Sequence, residues 1–518
     1  MPNPGSSKHV HPLYATWSPT WRMAYDVYEG AGGFLDPDRP YLVPHPREWL
    51  DHSVTDTTTG GMKPNPNPTS PSPKLNMRRK LARYENVAGI LVETVEGPLF
   101  RTPPTRSFAS ETPDARLDAW LANVDGLGSS LDLFLHDSWN VAAAFGHAIM
   151  LADKSKVEPG TAADTQGPML SRYTPLDMID WLEDDKGQLI AVKLIEGVTR
   201  TGFDVSAKVT DHQVRVVDEE KWTLYDKGGK QIDQAAHGFG RLPIVILYGR
   251  RRKLIPLLGK PIMGDPMLYI DLYNLQSEVR ELLRNQTFAI LNVPTGKDST
   301  VEQETAKLGR QSGTSNVMFS TEPASFIAPP ETNVAAYHEH IDRLGRMIYR
   351  LVAVPWESDS RDSESADSRK LKRADLHSAL VSYTGEIQRA DDTLLELAYR
   401  ALFGEDGWEK ARDKDEPSTS YSQDFELPDL DAVVERCSKA ITLDLGETAT
   451  KELKKQTVAQ LLPQVNEDTK TQIHDEIDAM KVLTADEKRA EMLEASAARM
   501  GARPPMKPGE PKPPATVQ

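Results

Sequence analysis

Two groups of carboxylates have the residue types and spacing to hold a divalent cation: Asp180, Glu183, Asp184 and Asp185, and further on Glu357, Asp359, Asp362 and Glu364. Mg²⁺ held there would support cleavage of a phosphodiester. Octahedral Mg²⁺, however, draws on ligands that a fold brings together, and carboxylates crowded on one turn read first as solvated surface. His338 and His340 flank Glu339 at i and i+2, which on a helix sends the two imidazoles to different faces. The chain has no Gly-x-x-x-x-Gly-Lys-Ser/Thr phosphate loop, no Gly-x-Ser-x-Gly elbow and no His-Glu-x-x-His. Gly126 and Gly128 form half of a dinucleotide fingerprint and read as a turn. These residues point away from an enzyme, and they call for no cofactor and no resident metal. Arg250, Arg251, Arg252 and Lys253 are four consecutive cations and a candidate contact for phosphates or for an acidic partner.

The elements that must position these groups centre on Gly264 to Phe403. Leu268, Leu272, Leu275, Val279 and Leu282 recur at alternating steps of four and three, and Tyr337, Ile341, Leu344, Ile348 and Leu351 repeat the rhythm. Leu376, Leu380, Tyr383, Ile387, Ala390, Leu394, Leu397 and Ala401 extend it. That spacing predicts three long helices, each with one apolar seam that must meet another helix. Between the first two, Thr287 to Thr332 holds short β-type runs, Phe288 to Val293 and Asn316 to Phe319, among Gly and Pro breakers, and predicts a small β-rich cap. Between the second and third, Pro355 to Asp367 carries five acidic residues against Arg361 alone and predicts an exposed, negatively charged loop.

Upstream, His11 to Gly30 leads through a short helix near Trp21 into a proline-rich linker, Lys63 to Pro73, with Trp17, Trp21, Tyr25 and Tyr28 docking the arm. Lys74 to Leu91 predicts one amphipathic helix, with Leu75, Leu81, Tyr84 and Ala88 inward and Arg78, Arg79, Lys80 and Arg83 outward, a basic cluster that could touch DNA or an anionic partner but reads first as a solvated face. Asp125-Gly-Leu-Gly128 opens a helix with Leu131, Phe134, Leu135, Val141 and Phe145, and Gly146 to Leu151 follows as a buried strand. From Leu170 to Gly249 the period changes to two. Leu189 to Ile195, His212 to Val217, Lys221 to Tyr225 and Ile244 to Tyr248 predict strands of an antiparallel sheet or small barrel, turned at Lys227-Gly-Gly-Lys230. Helices beside such a sheet make the class α+β. Short helices between Leu427 and Met500 would bury Leu461, Leu462, Ile473, Ile477, Met480, Leu483, Met492 and Leu493, ahead of a disordered proline-rich tail.

At 518 residues the chain exceeds one core, and its 39% hydrophobic and 27% charged content is ordinary for a soluble protein. A formal charge of −16 disfavours tight whole-surface binding of nucleic acid. Cys437 is the one cysteine, so intrachain disulfides are excluded and a reducing compartment is expected. There is no apolar run long enough to span a membrane, no signal-peptide core and no solenoid repeat.

The chain resembles the portal proteins of tailed bacteriophages, in particular a siphophage-type branch with an uncharacterised-domain label. The resemblance is carried by the His-Pro-Leu-Tyr arm at His11 to Gly30, the Asp-Gly-x-Gly helix start at Asp125 to Gly128, the Pro261 to Asn274 stretch and the helix–cap–helix–acidic loop–long helix order. It implies an N-terminal arm and linker over 1–73, a wing over 74–260, stem helices over 261–286 and 333–354, and a clip over 287–332. A tunnel loop over 355–367, a long wing or tunnel helix over 368–408, a helical crown over 422–500 and a tail over 501–518 would complete it. Such proteins form rings, typically dodecamers, at one capsid vertex. By the resemblance Glu357, Asp359, Arg361, Asp362 and Glu364 face the DNA lumen, while the stem residues from Leu268 to Leu282 and Tyr337 to Leu351 line subunit contacts. The implied partners are further copies of the chain, the terminase large subunit, major capsid protein and scaffold, a head-completion adaptor, and double-stranded DNA passing without tight binding. No membrane is implied; the place is the virion, with host cytoplasm before assembly. The rivals are another head–tail adaptor and a metal-dependent nuclease acting on packaged DNA.

Overall fold

The computed structural model describes residues 5–44, 48, 53–55, 62–64, 73–108, 114–154, 167–197, 212–255, 257–287, 290–294, 317–320, 323, 325–327, 331–355, 366–425, 451, 454–455, 458 and 467–479. The chain divides into two compact units, Met1–Phe425 and Glu426–Gln518.

Helix α1, Pro12–Glu29, is capped by His11, whose side chain accepts from the Leu13 amide, and is closed by left-handed Gly30. It starts well before the short helix predicted near Trp21 and runs through Pro19. Burial of Trp21, Ala24 and Val27 outweighs the hydrogen bond lost at the proline. His11 stacks on Trp181 at 3.9 Å, so the arm docks as expected, although Tyr25 stays exposed. Strands β1, Ser53–Thr55, and β2, Met62–Pro64, pair antiparallel. In place of one helix from Lys74 to Leu91 there are two, α2, Pro73–Leu81, and α3, Val87–Phe100. Asn86 starts the second by accepting from the Gly89 amide at 2.9 Å.

Arg78, assigned to solvent from the sequence, is 3% exposed. Its Nε donates to Glu48 at 2.7 Å and its Nη1 to Ser277 Oγ at 2.9 Å. A charge placed there without partners would be strongly destabilising, and the bidentate carboxylate compensates it.

Strand β3, Thr105–Ser107, and α4, Ala115–Ala122, precede α5, Leu131–Phe145. Gly126 and Gly128 both have positive φ, in keeping with a turn, and the helix itself starts at the Ser130 cap. Next come β4, His147–Asp153; β5, Met169–Tyr173; β6, Met178–Glu183; β7, Leu189–Gly197; and β8, His212–Asp218. They are followed by β9, Lys221–Tyr225; β10, Gln231–Ala236; β11, Ile244–Tyr248; and the short pair β12, Arg250–Arg251, and β13, Gly259–Lys260. Five of these strands form an antiparallel sheet in the order β10-β9-β8-β7-β6, and three form another, β11-β4-β5. The turn from β9 to β10 uses Gly229 at φ 81°, as the Gly-Gly pair predicts.

Helix α6 is Pro266–Thr287. Strands β14, Ile290–Pro294, β15, Val317–Ser320, and β16, Ser325–Ile327, lead to α7, Glu331–Val352. Helix α8, Ala366–Asp415, is 50 residues long with a break at Gly404 (φ 73°, ψ 177°), and β17, Ser418–Ser420, returns to pair with β3. Sequence polarity alone ended this helix early; Trp408 and Ala411 beyond the break are buried.

One apolar cluster joins α1, α3, α5, α6, α7 and α8, and a second joins the sheets around Trp21, Trp181 and Trp222. In the second unit α9, Glu467–Ala479, buries Ile477, and Lys455 pairs with Asp478 at 2.8 Å. Leu461, Leu462, Met480, Leu483, Met492 and Leu493 lie outside the described residues, as does the tail.

Candidate functional site

Helices α6 and α7 form an antiparallel hairpin. At one end Leu351 lies beside Gly264, and at the other the Tyr337 hydroxyl donates to Glu278 at 2.9 Å. Within it Leu272, Val279, Leu344 and Ile348 are buried, and Leu268, Leu275, Leu282, Tyr337 and Ile341 are half-buried. Within this one chain the two seams pack on each other and on the apolar cluster of the body. Leu351 departs from its group, 43% exposed beside equally exposed Met347. His338, Glu339, His340, Asp342, Arg343, Arg346 and Arg350 form the outer face. The cap strands are a mixed trio in which β14 pairs parallel with β15 and antiparallel with β16.

The hairpin ends in a tight stop. The Val354 amide donates to Tyr349 O at 3.1 Å and the Ala353 amide to Arg350 O at 3.2 Å, with Ala353 left-handed at φ 62°. This is a Schellman stop with alanine where glycine is preferred. The acidic segment that follows, with Glu357, Asp359, Arg361, Asp362 and Glu364, lies outside the described residues.

The basic run sits beside that stop. Arg250 Nε donates to the Tyr383 hydroxyl of α8 at 2.7 Å, and its Nη1 to the Leu351 carbonyl at 3.2 Å. Arg251 pairs with Glu386, and its guanidinium lies 4.6 Å from the Tyr248 ring centre. Arg252 donates to Gly259 O at 3.0 Å and covers the Trp17 ring at 4.1 Å. These three side chains are engaged inside the chain, which leaves Lys253 as the member of the run open to an outside phosphate. Close approach holds the loop behind them: a side chain on Gly146 or on Gly259 would strike the other residue's backbone.

The long helix holds a site that the sequence reading missed. Asp391 is completely buried, accepting from Arg106 Nη2 at 2.8 Å and from the Tyr421 hydroxyl at 2.9 Å. Arg106 also reaches Asp132 at 2.6 Å, and Asp392 accepts from the Thr419 amide at 2.7 Å. Burial pushes the Asp391 carboxyl above its usual range, against the pull of Arg106. The network fastens β3 and β17 to α8. Its one trace in the sequence is an acid on the apolar stripe, between Ala390 and Leu394. His147 is likewise fully buried; burial lowers it to about 3, and its Nδ1 accepts from the Gly259 amide at 3.3 Å.

The first carboxylate group does not converge. Asp180 pairs with Lys193 at 3.1 Å, Glu183 accepts from Trp181 Nε1 at 3.0 Å, and Asp184 accepts the Lys186 and Gln188 amides of its own turn. Among the described residues no group of three or more His, Cys, Asp or Glu is arranged to hold a metal ion. No described helix is long and apolar enough to cross a membrane.

Helices, antiparallel sheets and a helical hairpin with a mixed β-cap define an α+β chain. A family model described as a domain of unknown function, DUF4055, matches residues 267–400, the stretch from the hairpin through most of α8. No curated protein matches the chain. Among solved structures, the chain is similar at 12% identity to the neck of an empty GTA particle, with a TM-score of 0.41 over 71% of this chain and 90% of that one. It is similar at 12% identity to a chain in the virion of a native gene transfer agent particle, with a TM-score of 0.40 over 71% of this chain and 89% of that one. An HK97-family phage portal protein from Corynebacterium diphtheriae is similar at 14% identity, with a TM-score of 0.29 over 65% of this chain and 92% of that one. At these overlaps the likenesses carry no argument about what this chain does.

Proposed function

We propose that the chain is a portal-type subunit, a non-enzymatic component of a ring at one capsid vertex through which a terminase packages double-stranded DNA and through which the DNA later leaves. The observation that carries this proposal is the continuous order α6, mixed β-cap, α7, acidic segment, α8. A two-helix stem carries a tip of its own, and a negatively charged segment joins the stem to a long helix packed into the body. Glu357, Asp359, Asp362 and Glu364, with Arg361, would face the DNA. Like charge keeps a polyanion from adhering, whereas a basic lining would bind it by counterion release at each step. The cap would meet the motor and then the head-completion protein. Subunit contact would fall to what the hairpin leaves open, the Met347 and Leu351 patch with the arginines beside it.

Light scattering of the purified full-length chain, with negative-stain images of the same sample, tests this. A closed ring with a central hole is expected. A stable monomer or dimer at high concentration would overturn it.

A further inference from the structure

Between the loop that carries Arg39 and the exposed side of α2 lies a cleft of about 350 Å³, lined by Pro37, Arg39, Asn76, Arg79 and Lys80. It is within the size range of small-ligand sites, roughly 300–1,000 Å³. Three of its five lining residues are cations. Arg79 Nε is buried and has no hydrogen-bond partner. The other end of that guanidinium pairs with Asp38 at 3.5 Å, a carboxylate that is 86% exposed. Among the described residues the side chains of Arg39 and Lys80 make no hydrogen bond or ion pair.

Among the described residues, two nearby acids are paired with arginines and a third, Asp36, is held by a backbone amide. Glu48 is locked on Arg78 at 2.7 Å, Glu85 faces Arg280 at 3.3 Å, and the Asp36 carboxylate accepts the Asp38 amide at 2.7 Å. Burial raises the Tyr273 phenol above its ordinary range, and Arg39, Arg78, Arg83 and Arg280 offset part of that rise. Arg39 holds a left-handed backbone, φ 44°, immediately before Pro40. Such a conformation is unfavourable for a residue with a Cβ and persists where the surroundings fix it. Here the Asp36 turn does so, with the Arg39 amide on Asp36 O at 2.9 Å.

We infer that this cleft binds a phosphate group, gripped by Arg39, Arg79 and Lys80 with Asp38 at its rim. A planar guanidinium fork matches phosphate oxygens two at a time. Three cations against the carboxylates of Asp36 and Asp38 leave the cleft net positive, and its guanidinium forks suit the paired oxygens of a phosphate. The cleft is separate from the acidic segment and the hairpin, and the inference does not depend on ring formation. The phosphate could be carried by a DNA backbone or be free in solution.

The full-length chain is titrated with inorganic phosphate at constant ionic strength, followed by calorimetry, beside the variant Arg39→Gly/Lys80→Gln. Glycine accepts the left-handed backbone, so the fold and the thermal midpoint should be kept. Saturable binding that weakens at least tenfold in the variant is expected. A labelled DNA duplex in the same buffers separates the sources: parallel loss in the variant assigns the DNA backbone, and unchanged duplex binding assigns free phosphate. No phosphate binding by the native chain overturns the inference, as does equal binding by the variant. A glutamate-rich peptide that competes as well as phosphate also overturns it.

Discussion

Helices α7 and α8 carry the same apolar rhythm and meet different surroundings. On α8, Leu380, Tyr383, Ile387, Ala390, Leu394 and Leu397 are all at most 2% exposed, covered by α3, α5 and β11 of the same chain. On α7, Leu344 and Ile348 are buried, Tyr337 and Ile341 are half-covered, and Leu351 is 43% exposed. A period of three and four marks an apolar face; what covers that face is decided by elements distant in the chain. The residues that tell the two apart lie off the seam. Asp391 is tolerated on α8 because Arg106, 285 positions away, meets it, whereas the outer side of α7 is lined with arginines that face solvent.

The contrast can be broken by substitution. Asp391→Ala should cost the largest amount, about 3–5 kcal/mol, because it strips a buried guanidinium of its most buried partner. Urea denaturation measures it, and a loss below about 1 kcal/mol would mean that α8 is not held as described. Ile348→Ala should cost about 2–5 kcal/mol in the same assay. Leu351→Ala should cost less than about 0.5 kcal/mol in a dissociated chain. If the exposed end of α7 is a contact between copies, Leu351→Glu should shift the scattering mass towards monomer with the melting curve unchanged.

His147 gives a pH-dependent term. In the unfolded chain its imidazole takes up a proton below about 6.5, in the native chain only below about 3. Between those values protons favour the unfolded state, and stability falls with falling pH by up to about 1.4 kcal/mol per unit. Melting curves from pH 7 to 5 should show this slope, and His147→Gln should flatten it. The smallest effect is a gain: Ala353→Gly relieves the left-handed alanine at the helix stop and should add about 0.5–1 kcal/mol.

Much of the fold was legible locally. The period-two strands from Leu189 to Tyr225, the Gly-Gly turn and the struts of α6 to α8 follow from spacing, because each is fixed by neighbours within a few residues. Strands β5 and β6 escaped notice because Met169 and Leu182 turn apolar side chains to solvent and blur the alternation. The split between α2 and α3 escaped because its cap, Asn86, is one residue in an otherwise helical run. Arg78 looked solvated among four basic residues, and no local pattern marks Glu48 as its partner. Of the candidate site, the basic run was visible and its bonding was not, since Tyr383, Leu351 and Glu386 are more than a hundred positions away from it.

Arg250 grips Leu351 at the end of α7 and Tyr383 well inside α8. The thirty-odd residues between those two grips therefore form a noncovalent loop closed by one guanidinium. Helix α8 begins at Ala366, so its first 17 residues reach about 26 Å beyond Tyr383 at 1.5 Å per residue. Leu376, Ala379 and Leu380 on that stretch already pack on the core, so the arginine is a cross-tie that joins the end of α7 to the anchored middle of α8.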